Sequence, residues 1–211
     1  MSPRTPEKFE EIREEKKELI RQVALKLFAN NGYHSTPISQ IAKEAGISKG
    51  LLYNYFKNKE DLLSNLFNSI ANRIINILDP NHDEIITPEE AESFFDRFFE
   101  MLTTNPEEWR FFYQLTIQPK VLELILNENM ISRAQKNQQL MFNFFEAQNF
   151  KDPELAVVLF SSIFKGFTLM YAYAPEMYTK ELTNKLKQQM KTMFIKQNKD
   201  DIEKAGDMTI I

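Results

Sequence analysis

The sequence predicts an all-α protein, in which a three-helix N-terminal unit is followed by a larger helical bundle. Three observations carry this. Apolar residues recur at spacings of three and four, and the strict alternation of a half-buried strand is absent. Pro106, Pro119, Pro153 and Pro175 fall where one apolar period ends and the next begins. Glycine is scarce, 5 of 211 residues, yet Gly46 and Gly50 lie four apart in "ISQIAKEAGISKGLLYNYFKNKEDLL", Ile38 to Leu63.

A first helix is expected from Pro6 or Lys16 to Asn31, with Leu19, Ile20, Val23, Ala24, Leu27 and Phe28 as its buried stripe. Gly32 suits a left-handed cap, and Pro37 opens the next helix. Two short helices fit near 38–45 and 48–55. A long fourth helix begins at Asn58, whose side chain can cap it while Glu60 and Asp61 complement its dipole, and runs to about Leu78. "DPNHDEIITP" is the clearest break. Later helices fit near 88–104, 106–117, 119–148, 153–173 and 176–197, and the polar tail beyond Lys199 is expected to fray. The expected domains are 1–60 and 61–211.

Composition bounds the function. Without cysteine, disulfides and thiolate metal sites are excluded. The charged opening lacks the apolar core of a secretory signal, so a cytoplasmic protein is expected. The stretch "LAVVLFSSIFKGFTLMYAYA" has the length of a bilayer span, but Lys165 near its middle and Ser161, Ser162 and Gly166 make a buried or intersubunit helix the better reading. The net charge of −4 is unevenly spread: residues 1–60 hold 11 Lys+Arg against 8 Asp+Glu, and the remainder 15 against 22. That pattern is a small cationic head on an acidic body.

The quoted stretch then reads as two short helices around a tight turn. Ile38, Ile41, Ala42 and Ala45 share one face of the first helix. Gly46 can take the positive φ that ends it, Ile47 plugs the corner, and Ser48 caps the second. The second buries Leu52 and Phe56 and turns Lys49, Gly50, Leu51, Tyr53 and Asn54 outward, while Tyr55 fits core or surface. This is a helix-turn-helix pattern. Gly50 in the first turn would let such a helix approach the major groove closely, at a helix-propensity cost of about 1 kcal/mol.

The segment of about residues 16–67 resembles the DNA-binding domain of the TetR family of bacterial transcription regulators. The residues that fit are Leu27-Phe28, Gly32-Tyr33, Thr36, Ile41-Ala42, Ala45-Gly46, Ser48-Lys49-Gly50, Leu52-Tyr53, Phe56, Lys59-Glu60 and Leu62. Leu51 stands where threonine is common, and Tyr55 where histidine is common. The resemblance implies a homodimer that reads a palindromic double-stranded operator. Lys49, Gly50, Leu51 and Asn54 would meet base edges or adjacent phosphates. Tyr53, Ser48 and Thr36 would offer hydroxyls to phosphates, and Lys59 would form an anion site with the start of the fourth helix. Leu51 can pack on a thymine methyl but cannot donate a hydrogen bond.

The body is rich in large aromatics. Phe95, Phe98, Phe99, Trp109, Phe112, Tyr113, Phe145, Phe164, Phe167 and Tyr171 are the candidate lining of an apolar cavity, with Lys165 and Gln114 as polar anchors. Four phenylalanines within six positions, Phe94 to Phe99, must face more than one neighbour. TetR relatives use such a cavity to sense a small molecule, so the implied partner is a small lipophilic or aromatic effector. Binding would release a repressor from its operator, with the fourth helix as the lever. The helices near 153–173 and 176–197 are the dimerisation candidates, the second through Leu182, Leu186, Met190, Met193 and Phe194.

Other readings are weaker. His34 and His82 have no nucleophile arrangement beside them and no phosphate-cradling loop exists, so neither an enzyme nor a cofactor is expected. Asp79 to Glu90 is similar to an EF-hand calcium loop, but Glu84 stands where that loop needs glycine. Thr87-Pro88-Glu89-Glu90 is equally a capping box. No metal site is assigned.

Overall fold

Periodicity of three and four, interrupted by proline and capping residues, becomes ten α-helices and one 3₁₀ turn among the described residues. The computed structural model describes residues 6–125 and 128–196. The helices are α1 (Pro6–Asn31), α2 (Ile38–Glu44), α3 (Lys49–Tyr55), α4 (Lys59–Leu78), α5 (Pro88–Thr104), α6 (Pro106–Thr116), α7 (Pro119–Ile125), α8 (Glu128–Ala147), α9 (Pro153–Tyr173) and α10 (Lys180–Phe194). The helix expected across 119–148 is described as two, α7 and α8. The last helix starts later than expected, because Pro175–Met177 forms the 3₁₀ turn and Thr179 caps α10 through the Leu182 N–H. It also ends earlier than the expected 197, at Phe194, where Ile195 turns extended, and the tail beyond Lys199 lies outside the described residues.

Two compact units result. The first combines residues 1–72 with 107–131, and the second combines 73–106 with 132–211. The first is wider than a headpiece ending at residue 60, since α6 and α7 pack within it: Phe112 meets Phe67 at 5.2 Å between ring centroids. Its core is Ile20, Ala24, Leu25 and Phe28 of α1, Ile41 and Ala42 of α2, Leu52 of α3, Phe56, and Leu62, Leu63 and Leu66 of α4. Leu19, expected in the buried stripe of α1, is exposed, and Leu25 is buried in its stead. The apolar stripe is rotated toward Leu25, one turn along from Arg21 and its bonds to Glu18.

The second unit is held by aromatic side chains. Phe94, Phe95, Phe98 and Phe99 of α5 are all buried, and they do face several neighbours. Phe98 and Phe164 lie 4.0 Å apart by centroid, Phe99 stacks on Phe167 at 5.0 Å, and Phe95 meets Phe160 edge-on. Phe145 of α8 contacts both Phe160 and Phe194. On the outer side of α5, Asp96 binds Lys187 and Lys191 of α10 at 2.8 and 2.9 Å. Rings in these offset and edge-on arrangements gain about 0.5–1.5 kcal/mol per pair beyond area burial.

Candidate nucleic-acid interface

The turn between α2 and α3 is built by backbone bonds that only a left-handed residue allows. Gly46 has φ +67°. Its N–H donates to the Lys43 carbonyl at 3.1 Å, and the Ile47 N–H donates to the Ala42 carbonyl at 3.0 Å. This pair is a Schellman closure, which satisfies the last carbonyls of α2 and swings the chain sharply. Ser48 then caps α3, its hydroxyl oxygen accepting from the Leu51 N–H at 3.1 Å.

With Leu52 and Phe56 fixed in the core at 0% and 1% exposure, the opposite face of α3 is presented outward. Ser48, Lys49, Gly50, Leu51, Tyr53 and Asn54 are all exposed, and Tyr55 is half-buried. The Lys49 ammonium lies 6.0 Å from the Tyr53 ring centroid, so a cation and a phenol are offered side by side. Gly50 is not explained from within the protein. A Cβ built there would meet only Ser48 Oγ, at 4.0 Å. Its missing side chain therefore clears space only on the outer face. Lys43 and Lys57, also exposed, flank this face. Sequence reading passed over both, because neither belongs to the apolar period or to the motif.

Two expected phosphate contacts take a different role. Thr36 is fully buried, and its hydroxyl donates to the Leu27 and Gly32 carbonyls. That hydroxyl ties the end of α1 to the loop and is not available to a phosphate. The Lys59 ammonium donates to the Tyr33, His34 and Thr36 carbonyls at 2.9, 3.3 and 3.2 Å, and lies 4.6 Å from the Tyr33 ring centroid. All three of its protons are spent on the α1–α2 loop. At the start of α4, Asn58 accepts the Asp61 N–H, and Asp61 accepts the Lys57 N–H. The ammonium expected to serve an anion there is engaged by the loop's carbonyls.

A residue that sequence reading missed completes this support. Gln118, between α6 and α7, accepts the Tyr33 N–H at 2.9 Å and donates to the Phe28 carbonyl at 3.0 Å. The bonds span 85 and 90 residues of chain, and no local pattern signals them. Tyr33 itself is buried, and desolvation, followed by the negative charge of Glu60, pushes its phenol pKa up.

The candidate effector residues fall into two sets. Trp109, Phe112 and Tyr113 sit on α6 in the first unit, where the neighbouring Gln114 Oε1 is buried without a partner. Phe95, Phe98, Phe99, Phe145, Phe164, Phe167 and Tyr171 belong to the second unit. Phe95 and Phe145 border a void of about 10 Å³. Phe99 and Tyr171 border a larger, open cleft of about 570 Å³ with Tyr178 and Lys187. Lys165 is exposed.

In the loop resembling a calcium site, the carboxylates beyond Asp79 are bonded to the chain, and Asp79 accepts the Glu84 N–H through Oδ2. Asp83 accepts from Ile85 and Asn81, and Glu90 forms the capping box with Thr87. Among the described residues no three histidine or carboxylate side chains gather as a metal ligand set. Helix α9 is, among the described residues, the one helix long and apolar enough to cross a membrane, with 33% of its most apolar stretch buried. Leu155, Val158, Leu159, Leu169, Met170 and Tyr173 line its exposed face, and Leu182 and Met193 are exposed on α10.

Residues 20–66 match the family model of bacterial regulatory proteins, tetR family. The chain is 32% identical over 118 residues to the fatty acid metabolism regulator protein of Bacillus subtilis (strain 168). That match takes in 56% of this chain and 61% of the regulator, less than two thirds of its length. In fold, the chain is similar to the fatty acid degradation regulator FadR from Bacillus halodurans, at TM-score 0.62 and 22% identity, covering 94% of this chain and 99% of that one. It is also similar to FadR from Bacillus subtilis in complex with stearoyl-CoA, at TM-score 0.59 and 21% identity, covering 84% and 97%. These relatives and neighbours are regulators, not enzymes.

Proposed function

From the tetR-family headpiece at residues 20–66, we propose that this chain is a DNA-binding transcriptional regulator, a cytoplasmic repressor that leaves a palindromic operator when a lipophilic effector binds. The observation that carries the reading is α3. It presents Lys49, Leu51, Tyr53 and Asn54 around a glycine whose bare backbone serves nothing inside the protein. Lys49, Leu51 and Asn54 read base edges, with Leu51 packing on a thymine methyl. Ser48 and Tyr53 hold phosphates. Thr36 and Lys59 hold the loop that orients α3 and so act as positioning residues.

Twofold reading needs two heads. The exposed apolar face of α9, with Leu182 and Met193 of α10, supports a homodimer, since a monomer rarely leaves so long an apolar stripe in water. The effector is proposed to be a long acyl chain or its thioester. The aromatic-rich body supports this, as does the stearoyl-CoA carried by the Bacillus subtilis neighbour.

Selection of bound fragments from genomic DNA with the purified protein tests the reading. A symmetric sequence should emerge, be protected by a dimer, and be released by stearoyl-CoA or a related acyl thioester. Failure to enrich any duplex in dilute buffer refutes the DNA reading. Enrichment without release by any acyl species refutes only the effector.

A further inference from the structure

A cavity of about 360 Å³, bordered mostly by charged and amide residues, lies in the second unit, apart from the aromatic cluster. Its walls come from the C-terminal end of α4, the loop after it and one face of α8. Helix α4 supplies Ile75, with Asp79 just beyond its end. The loop supplies His82 and Glu84, and α8 contributes Arg133, Asn137 and Leu140 at helical spacing. At about 30 Å³ per water-sized group, it has room for roughly a dozen such groups.

Asp79 is the chemically telling member. It is 4% exposed, and one carboxylate oxygen, Oδ2, accepts from the Glu84 N–H at 3.2 Å. The other, Oδ1, is buried with no hydrogen-bond partner. A carboxylate only accepts, so whatever completes it must bring a donor, and an ammonium forms the stronger, charge-assisted bond. The far wall has the opposite character. Arg133 and the Asn137 amide offer donors to an anion, while Ile75 and Leu140 give the cavity an apolar patch. Glu84 and Lys136 form an ion pair across the rim at 2.6 Å, both about two thirds exposed. An exposed pair of this kind opens readily in water, and its opening frees the Glu84 side of the loop to admit a ligand.

We propose that this cavity binds a small zwitterion of the α-amino acid class, its ammonium on Asp79 and its carboxylate toward Arg133 and Asn137. The site is separate from the residues assigned to the lipophilic effector and does not depend on that reading. A dication would meet Arg133 and Lys136, and a simple anion would meet Asp79, so a molecule with both charges matches the walls best.

The test uses the full chain and the proteinogenic amino acids, each in millimolar excess. Thermal unfolding screens them, and calorimetric titration follows any that shift the midpoint. At least one amino acid should raise the midpoint and bind saturably. Its N-acetyl and carboxamide derivatives should both fail, since each removes one charge. Asp79→Asn, which keeps an acceptor for the Glu84 N–H, should weaken binding at least about tenfold. Arg133→Gln, on the α8 wall, should do the same and carries the test if Asp79→Asn folds poorly. The proposal is overturned if no amino acid binds, if N-acetylation leaves affinity unchanged, or if a correctly folded variant binds as the wild type does.

Discussion

Replacing Gly50 with alanine separates folding from DNA reading in one variant. In the free protein the new methyl meets only Ser48 Oγ at 4.0 Å, ordinary van der Waals contact, so nothing must move. Alanine is preferred to glycine in a helix by up to about 1 kcal/mol. Gly50 is the second residue of α3, near the helix end, so the gain is at most that. For a chain of this size about 1 kcal/mol shifts the unfolding midpoint by roughly 2–4 °C. The variant should therefore unfold at the wild-type temperature or up to a few degrees above it. On DNA the methyl stands between backbone and groove. A gap of about 0.5–1 Å already forfeits a quarter to a half of a contact's dispersion energy, and a lost base-edge pair is worth about 1–3 kcal/mol. At 1.4 kcal/mol per factor of ten, affinity for the selected operator should fall at least about tenfold. Fluorescence anisotropy on the operator and on a scrambled duplex, beside thermal unfolding, reads all three quantities. Wild-type operator affinity in the stabilised variant would refute the close-approach reasoning.

Gln118→Ala leaves the Tyr33 N–H and the Phe28 carbonyl without their long-range partner, and should lower stability by about 1–3 kcal/mol in chemical denaturation. Lys59→Met should destabilise the headpiece, whereas Tyr53→Phe should leave stability unchanged and weaken all duplexes alike. Thermal unfolding and binding measured on both variants separate holding from contacting. Burial opposes the charge on Asp96, but hydrogen bonds from Lys187 and Lys191 outweigh it and hold the carboxyl below its usual value. The α5–α10 tie is thus fully present above the unfolded-state pKa and is lost as pH falls through the folded one. Asp96→Asn should flatten the acid limb of the stability–pH profile below about pH 4, where carboxylates titrate. If a dimer neutralises about eight phosphates, log affinity should fall with log salt at a slope near −7 in anisotropy titrations, and a slope near zero would exclude phosphate-dominated binding.

Helix positions were legible because each is written locally. Thr87 with Glu90 and Asn58 before Asp61 are short-range caps, and both form. The turn at Gly46 was legible for the same reason. Less accessible were contacts made across the chain. Thr36 and Lys59 fit a surface motif by type, yet a hydroxyl and an ammonium also satisfy orphan carbonyls at a helix end. Three such carbonyls happen to converge on Lys59. The aromatic residues show a related limit. Spacing says that they are buried, but not whether a neighbouring ring or a ligand fills the space beside them, and Phe98 against Phe164 is ring on ring.

The headpiece loop is held from two directions, and this constrains how any signal can reach α3. Lys59, at the first residue of α4, grips the Tyr33, His34 and Thr36 carbonyls. Gln118, from the α6–α7 corner, grips the same loop at Tyr33 and the end of α1 at Phe28. A shift of α4 alone would strain the Gln118 bonds, and a shift of the α6–α7 corner alone would take the partner from the buried Tyr33's N–H, while the Phe28 carbonyl would keep only the Gly32 N–H. Each unpaired buried group costs about 1–3 kcal/mol, comparable with the 1–3 kcal/mol typical of a whole allosteric coupling. Concerted movement of α4 and the α6–α7 corner keeps both sets of bonds and avoids that cost. Any signal that reorients α3 would therefore have to move both elements together, and the packing of Phe112 of α6 on Phe67 of α4, with Trp109 against Phe112, joins the two.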